Sequence, residues 1–357
     1  MKNKTENIVE VLSREILVGK YPAGGRFPTE QESMERFGVS RVTVRRAYDI
    51  LESHRVIARR PYFGTVVNDA PTVQTEPIGE VGALIPLSHA FAQEFLCALN
   101  QAAVSENALV VLAPPFATGA EQSRVAIELA SRGIRNLVVW GIDQSVDMDT
   151  FLRLRLLGCN MVFFDHLKLP GGADYVGLDS EHAINTLLEQ AVADGCREAV
   201  FIDTEGLQVV SNQTRREAFL AGCKRLKLTS NLCGLPWREV LHDGARDACR
   251  EFLARVDAKT AIVTVNHTLA EALLAVGGET HQLYTITIEA KAYPHNMHCV
   301  LQPISEMARL CFDLLRKQQK QGVDWQPGEY LLKGTFQPNG GDVLVCGNKG
   351  HKGGSGK

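Results

Sequence analysis

Residues 26–67, RFPTEQESMERFGVSRVTVRRAYDILESHRVIARRPYFGTVV, constrain the fold of this chain more than any other stretch. Thr29 stands ahead of a helical pattern with Glu32 three places on, the signature of a reciprocal capping box. Gly38 ends that helix, whose pattern turns Met34 and Phe37 inward. Ser40 then caps a second helix with Val44, Ala47, Tyr48 and Leu51 on its apolar face. Upstream, Ile8, Val9, Leu12, Ile16 and Leu17 recur at helical spacing, and Gly19 and Pro22 close that first helix. Downstream come a short strand ending at Arg59 and Arg60, a Pro-Tyr-Phe-Gly turn, and a strand over 65–67.

Three helices followed by a basic ribbon are the layout of a winged helix-turn-helix. In such a unit the N-terminal turn of the second helix of the motif enters the major groove of DNA. Here that turn holds Ser40, Arg41 and Thr43, with Arg45 one turn on and Arg46 beside it. Arginine can grip guanine O6 and N7 with two hydrogen bonds, and hydroxyls can bond phosphates or base edges. Arg59 and Arg60 are placed for a wing to reach the backbone or minor groove. Taken singly, each arginine is more often a solvated surface charge; cap, arginines and wing at these offsets point together to DNA. The charge agrees: residues 1–68 hold 12 Lys/Arg and 8 Asp/Glu, a net of +4, and the remainder holds 26 and 33, a net of −7.

These residues resemble the GntR family of bacterial regulators, whose pattern is met by Pro28-Thr29-Glu30, by Val39-Ser40-Arg41-Val42-Thr43-Val44-Arg45-Arg46-Ala47, and by Gly64-Thr65-Val66-Val67. The resemblance covers roughly residues 5–67. It implies DNA contacts from Ser40, Arg41, Thr43 and Arg45, with Arg46, Arg59, Arg60 and Gly64 completing the candidate set. The chain departs from the family at Gln31, where a basic residue is common, at Tyr62, where glycine is usual near the wing tip, and at His54, which replaces a glycine.

Residues 69–77 are polar, contain two prolines and show no apolar period, so they read as a tether. From residue 78 short apolar runs alternate with helical patterns. Strands are expected over 80–85, 108–113, 136–140, 161–164, 199–202, 261–265 and 283–288, with helices such as 91–106, 121–132, 181–194, 214–226, 243–255 and 268–276 between them. Alternation of this kind predicts parallel sheets covered by helices on both faces. The number of units predicts two such lobes, with a ligand cleft at the strand C-termini. Polar and aromatic residues gather after those strands: Ser88, His89 and Phe91; Asp165 and His166; Asn266 and His267; Glu289. Each alone suits a helix cap or a loop. Their recurrence suits a hydroxyl-rich ligand, which needs carboxylates and amides for hydroxyls and an aromatic face for C–H groups.

This body resembles the LacI/GalR regulators and the periplasmic sugar-binding proteins, through 78–95 (IGEVGALIPLSHAFAQEF), 176–202, 215–221 (RREAFLA), 261–273 (AIVTVNHTLAEAL) and 331–340 (LLKGTFQPNG). The resemblance implies ligand contacts from Ser88, Phe91, Asp165, Arg215, Trp237, Asn266, Glu289 and Gln302. It also implies that a helix near 305–319 returns to the first lobe and a strand near 330–336 to the second, and that the molecule pairs through its lobes. His267 and Glu289 stand where aspartate is usual. The GntR-like head takes the place of the LacI headpiece, a combination that resembles the arabinose-repressor branch of GntR regulators.

The fold expected is therefore multidomain: an α+β winged helix-turn-helix head (1–68), a linker (69–77), and an α/β two-lobed, periplasmic-binding-protein-like (type I) domain (78–345). Its first lobe takes about 78–176 plus 303–328, and its second about 177–302 plus 329–345. Residues 346–357, rich in Gly and Lys, form a flexible tail. The function expected is a ligand-responsive transcriptional repressor acting as a homodimer on operator DNA, with a carbohydrate as effector. The alternative is a sugar-binding solute receptor, against which the basic head argues. All nine cysteines lie at or beyond Cys97 without a CxxC pair, and no secretory or membrane-spanning run stands out, so a reduced, cytoplasmic protein is expected. No catalytic, nucleotide-binding or metal motif sits at a strand–helix junction, and no enzyme, cofactor or metal is expected.

Overall fold

The computed structural model describes residues 4–17, 20–53, 56–68, 77–86, 90–237, 239–240, 245–288, 294, 296–338. The predicted linker (save residue 77), Ser88, His54, Glu289 and the predicted tail lie outside the described residues.

The head consists of α1 (Lys4–Leu17), α2 (Glu30–Phe37), α3 (Arg41–Ser53), β1 (Ile57–Arg60) and β2 (Gly64–Val67). The capping box at Thr29 is present in both directions, and Gly38 ends α2 in the left-handed conformation at φ 60°. Ser40 opens α3: its Oγ lies 2.9 Å from Thr43 Oγ1 and accepts the Thr43 N–H at 3.4 Å. β1 and β2 pair antiparallel, with Ile57 opposite Val67 and Arg60 opposite Gly64. Arg26 adds a bridge to Val66.

The head core is built from Ile8, Leu12, Phe27, Val44, Ala47, Tyr48, Leu51 and Ile57, with Met34 and Phe37 only partly buried against it. The α2 residue sealed inside is Ser33, not the two apolar residues that periodicity selects. The reason is a hydrogen bond. Tyr48 Oη donates to the carbonyl of Pro28 at 2.7 Å, so the 2.8 Å contact with Ser33 Oγ is donated by the serine. This pair fixes α2 against α3 from inside the core. Outside it, Arg36 grips both oxygens of Glu15 at 2.7 and 2.5 Å and so ties α2 to α1.

The body runs β3 (Glu80–Leu84), α4 (Ala90–Ser105), β4 (Leu109–Leu112), α5 (Gly119–Ser131), β5 (Asn136–Val139), α6 (Met148–Leu156), β6 (Asn160–Phe164) and β7 (Asp174–Leu178). It continues with α7 (Ser180–Ala193), β8 (Glu198–Glu205), α8 (Val210–Leu226), β9 (Thr229–Pro236), α9 (Arg246–Leu253), β10 (Ala261–Thr264), α10 (His267–Leu274), β11 (Gln282–Thr287) and β12 (Met297–Leu301). Last come α11 (Ile304–Gln321), β13 (Glu329–Leu332) and β14 (Thr335–Gln337). Two six-stranded sheets result, ordered β13-β7-β6-β5-β3-β4 and β14-β12-β11-β10-β8-β9. Every pairing is parallel except that of β14 with β12. The chain divides into two units, one holding residues 1–180, 206–215 and 303–333 and the other the rest.

The resemblance implies one strand near 330–336 for the second lobe. The chain instead forms two short strands, β13 against β7 and β14 against β12, separated by Lys333 and Gly334. In the first unit α11 packs on α4, β6 and β7. Its Gln318 side chain accepts from the Met161 N–H at 2.9 Å and donates to the Met161 carbonyl at 2.8 Å and to Asp174 Oδ2 at 2.7 Å. The fully buried Asp174 carboxylate also takes Trp325 Nε1 at 3.1 Å and Gly328 N at 2.7 Å. A carboxylate this deep is tolerable because each oxygen meets donors.

Tyr48→Phe removes the acceptor of Ser33 and the donor to Pro28 inside the core. It is expected to lower stability by about 1–3 kcal/mol in urea unfolding, with the fold retained. The Arg36 hydrogen bond, with Lys20 adding to it, holds Glu15 at about 2 against an ordinary 4.5. A depressed carboxylate stabilises above its unfolded pKa and loses that contribution as pH falls through the folded one. Glu15→Gln should therefore cost about 1–2 kcal/mol near neutral pH and about nothing below pH 2. Chemical denaturation across that window is the check.

Candidate nucleic-acid interface and effector site

With Val44, Ala47, Tyr48 and Leu51 turned into the core, α3 presents Arg41, Val42, Arg45, Arg46 and Asp49 to solvent. Its first turn contains no acidic residue, so the positive end of the helix is not neutralised from within. Arg41 lies 3.3 Å from Glu30 yet its side chain remains 75% exposed. Val42, which sequence reasoning passed over, is 62% exposed in the same turn. An aliphatic group there could meet a thymine methyl. Its signal was an apolar residue placed off the helix's apolar face.

Arg59 is placed differently from Arg60. Its Nη1 lies 2.8 Å from both Asp49 and Glu52, and its backbone N–H donates to Glu52 at 3.1 Å. The side chain is drawn back against α3, so reaching phosphate would require exchanging these carboxylates. Arg60 pairs with Gly64 at the mouth of the turn, and both are exposed. Gly64 adopts φ 79° with open space around its missing Cβ, so conformation and not crowding selects glycine. Ser40, Arg41, Thr43, Arg45 and Arg46 thus share the start of one helix, and Arg60 and Gly64 flank the wing tip.

In the first unit the C-terminal ends of the strands carry an aromatic cluster. Phe91 stacks on Phe164 at 5.7 Å and meets Trp140 at 5.1 Å, and Phe95 stacks on Phe164 at 3.9 Å. Trp140 looked only like the end of a strand in the sequence. Next to this cluster Asp165 follows β6 at φ 54°, a left-handed turn position that aspartate tolerates. Its carbonyl accepts Tyr175 Oη at 2.8 Å. Its carboxylate meets Ser211 Oγ at 3.4 Å, His166 Nε2 at 3.5 Å and Arg215 Nη2 at 3.9 Å. Such long contacts leave lone-pair capacity for incoming hydroxyl donors. Arg215 is 4% exposed and its Nε donates to Ser180 Oγ at 3.4 Å. His166 Nδ1 lies 2.9 Å from the Gly141 carbonyl, which can only accept, so Nδ1 carries a proton. Burial pushes the His166 pKa below its ordinary value, with Asp165 pulling the other way.

In the second unit Trp237 follows β9 and is half-buried. Asn266 caps α10: its side-chain oxygen accepts from the Leu269 N–H at 3.1 Å, so the group it can offer a ligand is its Nδ2. Gln302 follows β12 and is buried, and its Oε1 has no hydrogen-bond partner among the described residues. His267, the departure from the family's aspartate, contacts Glu271 at 2.9 Å and Thr287 Oγ1 at 3.3 Å. Sequence reasoning missed Asp203, buried on β8 and held by Arg216 Nε at 2.9 Å. No cluster of metal-ligating groups occurs among the described residues, and no helix among them is long and apolar enough to cross a membrane.

Residues 4–67 match the family model described as bacterial regulatory proteins, gntR family. A helix-turn-helix-type transcriptional regulator of Mycobacterium tuberculosis is 42% identical over 62 residues, 17% of this chain and 23% of that protein. The galactonate operon transcriptional repressor of Escherichia coli is 38% identical over 65 residues, 18% of this chain and 28% of that protein. The chain thus spans about a quarter of the length of these curated relatives. Among solved structures, a LacI family transcriptional regulator from Enterococcus faecium with bound ribose matches at 17% identity and TM-score 0.60, covering 72% of this chain and 96% of that one. The trehalose repressor of Escherichia coli matches at 16% identity and TM-score 0.59, covering 73% and 100%. The N-terminal domain is a GntR-type winged helix-turn-helix, and the remainder has the two-sheet α/β fold of LacI-type and periplasmic-binding-protein-like domains.

Proposed function

We propose that this chain is a DNA-binding transcriptional repressor whose operator affinity is set by a small carbohydrate ligand held by its α/β body. The observation that carries this reading is the joining, in one chain, of a GntR-type head with an exposed basic α3 to a fold that elsewhere holds ribose in a LacI-family regulator. Arg41, Arg45 and Arg46, with Ser40 and Thr43, take the operator, and Arg60 and Gly64 take the backbone beside the wing. Arg59 joins them only by leaving Asp49 and Glu52.

In the body, Phe91 and Trp237 supply faces for sugar C–H groups, and Asp165, Arg215, Asn266 and Gln302 supply the polar contacts. Ser88 and Glu289 complete the set assigned to the ligand. A ligand that binds one conformation better shifts the population toward it, and operator affinity follows. The chain acts as a homodimer, matching a two-fold operator. Val104, Leu109 and Leu112, exposed at the end of α4 and on the edge strand β4, favour pairing through the first unit. The matched relatives are regulators, and the chain is read as performing no catalysis.

Duplexes selected by the full chain from a randomised library provide the test. Arg45→Ala is expected to weaken binding by about 5–150-fold, the cost of losing a base-reading arginine. Unchanged affinity contradicts the assigned recognition helix. A thermal-shift panel of mono-, di- and acidic sugars and their phosphates on the full chain should contain a stabilising ligand. Arg215→Ala should abolish that shift while the unliganded protein still melts cooperatively; a shift that survives removes Arg215 from the site.

A further inference from the structure

The wing tip carries two features that folding alone does not explain. Phe63 N–H donates to the Arg60 carbonyl at 3.2 Å, closing a four-residue turn with Pro61 and Tyr62 at its centre. Proline suits the first central position. The second central position has φ 67°, which a turn of this kind gives to glycine or asparagine. Here it is tyrosine. A bulky side chain held left-handed costs about 1–2 kcal/mol, and such strain collects at functional sites. The Tyr62 side chain gains no burial in return: it is 106% exposed, and Phe63 beside it is 78% exposed. Two adjacent aromatic rings therefore project from a two-stranded ribbon whose first strand ends in Arg60.

We propose that Tyr62 and Phe63 form an apolar wedge that enters the minor groove and partly unstacks one base step beside the site read by α3. The proposal rests on the DNA-binding reading above. The occupant is duplex DNA because the tip follows directly on the exposed Arg60, and the ribbon meets α3 through Glu30, which lies within 4.0 Å of both Arg41 and Arg59; a phosphate-lined groove complements these cations. Proteins that insert apolar side chains between base steps unstack and kink the duplex. The cost of the deformation depends on the step, and pyrimidine–purine steps yield most readily. The wedge would thus add a preference for a flexible step at a position where no hydrogen bond reads the base. The ring at position 62 supplies something that glycine there cannot, which accounts for the retained strain.

The library-selected duplexes serve as probe, with 2-aminopurine placed along the flank that the wing reaches. Binding of the full chain should raise 2-aminopurine fluorescence at one step, and replacing that step by a stiff A-tract should weaken binding. Y62G relieves the strained turn, so its melting temperature should equal or exceed that of the parent. Its DNA affinity should nevertheless fall by about tenfold, as should that of F63A, and the fluorescence rise should vanish. The slope of log affinity against log salt should stay the same in both, because no charge is lost. R60A should instead flatten it by about one unit. Unchanged affinity and fluorescence in Y62G and F63A overturn the wedge and leave the regulator reading standing. A flattened salt slope in Y62G also overturns it, by showing that the tip only positions Arg60. Failure of the full chain to enrich any duplex overturns both.

Discussion

The contact between Ser33 and Tyr48 is the constraint on which the rest of the head depends. A recognition helix can read DNA only if its first turn is held at a fixed angle to the supporting helix, and α2 is too short to enforce that by apolar packing alone. Its apolar residues, Met34 and Phe37, are half-buried, whereas the serine between α2 and α3 is sealed completely. The tyrosine hydroxyl accepts from the serine and donates to the Pro28 carbonyl just ahead of α2, so one buried group fixes both the helix and its entry. A satisfied buried network of this kind is worth more for geometry than for net stability. It leaves Arg41, Arg45, Arg46 and Asp49 of α3 exposed.

The body follows the same logic with larger pieces. Gln318 bonds both backbone groups of Met161 and one oxygen of Asp174, which anchors the crossing helix to the first sheet far along the chain. These interior polar groups are saturated. Those at the strand C-termini are not: the Asp165 carboxylate has only long contacts, and Gln302 Oε1 has no partner among the described residues. The difference between saturated and unsaturated buried polar groups separates framework from candidate binding site here, without appeal to any ligand.

Much of this was legible in the sequence because the signals were local. The Thr29 capping box, the Gly38 stop and the 3.6-residue spacing of α3 depend on neighbours a few residues apart. The buried parallel strands read as apolar runs for the same reason. The strands that escaped notice lacked that signal. β7 opens on the buried Asp174, whose donors Gln318, Trp325 and Gly328 come from far along the chain. β9 is a mostly exposed edge strand ending in Pro236. β12 carries His298, which stacks on Tyr284 at 5.4 Å and pairs with Asp194 at 3.1 Å. Only tertiary partners make a histidine acceptable in a buried strand. At the candidate sites the same rule holds. Basic residues on α3 could be named from spacing, whereas the withdrawal of Arg59 onto Asp49 and Glu52, the burial of Trp140 beneath Phe91 and the strained Tyr62 required coordinates.

The central claim is that a ligand on the body governs how the head holds DNA. The most direct measurement is the affinity of the full chain for its selected duplex, titrated with and without a saturating sugar that the melting experiment has shown to bind. A coupled ligand is expected to change that affinity by about 5–150-fold, the usual range for communicating sites, and linkage requires that DNA change the sugar affinity by the same factor. A sugar that binds and leaves DNA affinity unaltered would contradict the account, reducing the body to a receptor that happens to share a chain with a DNA-binding head.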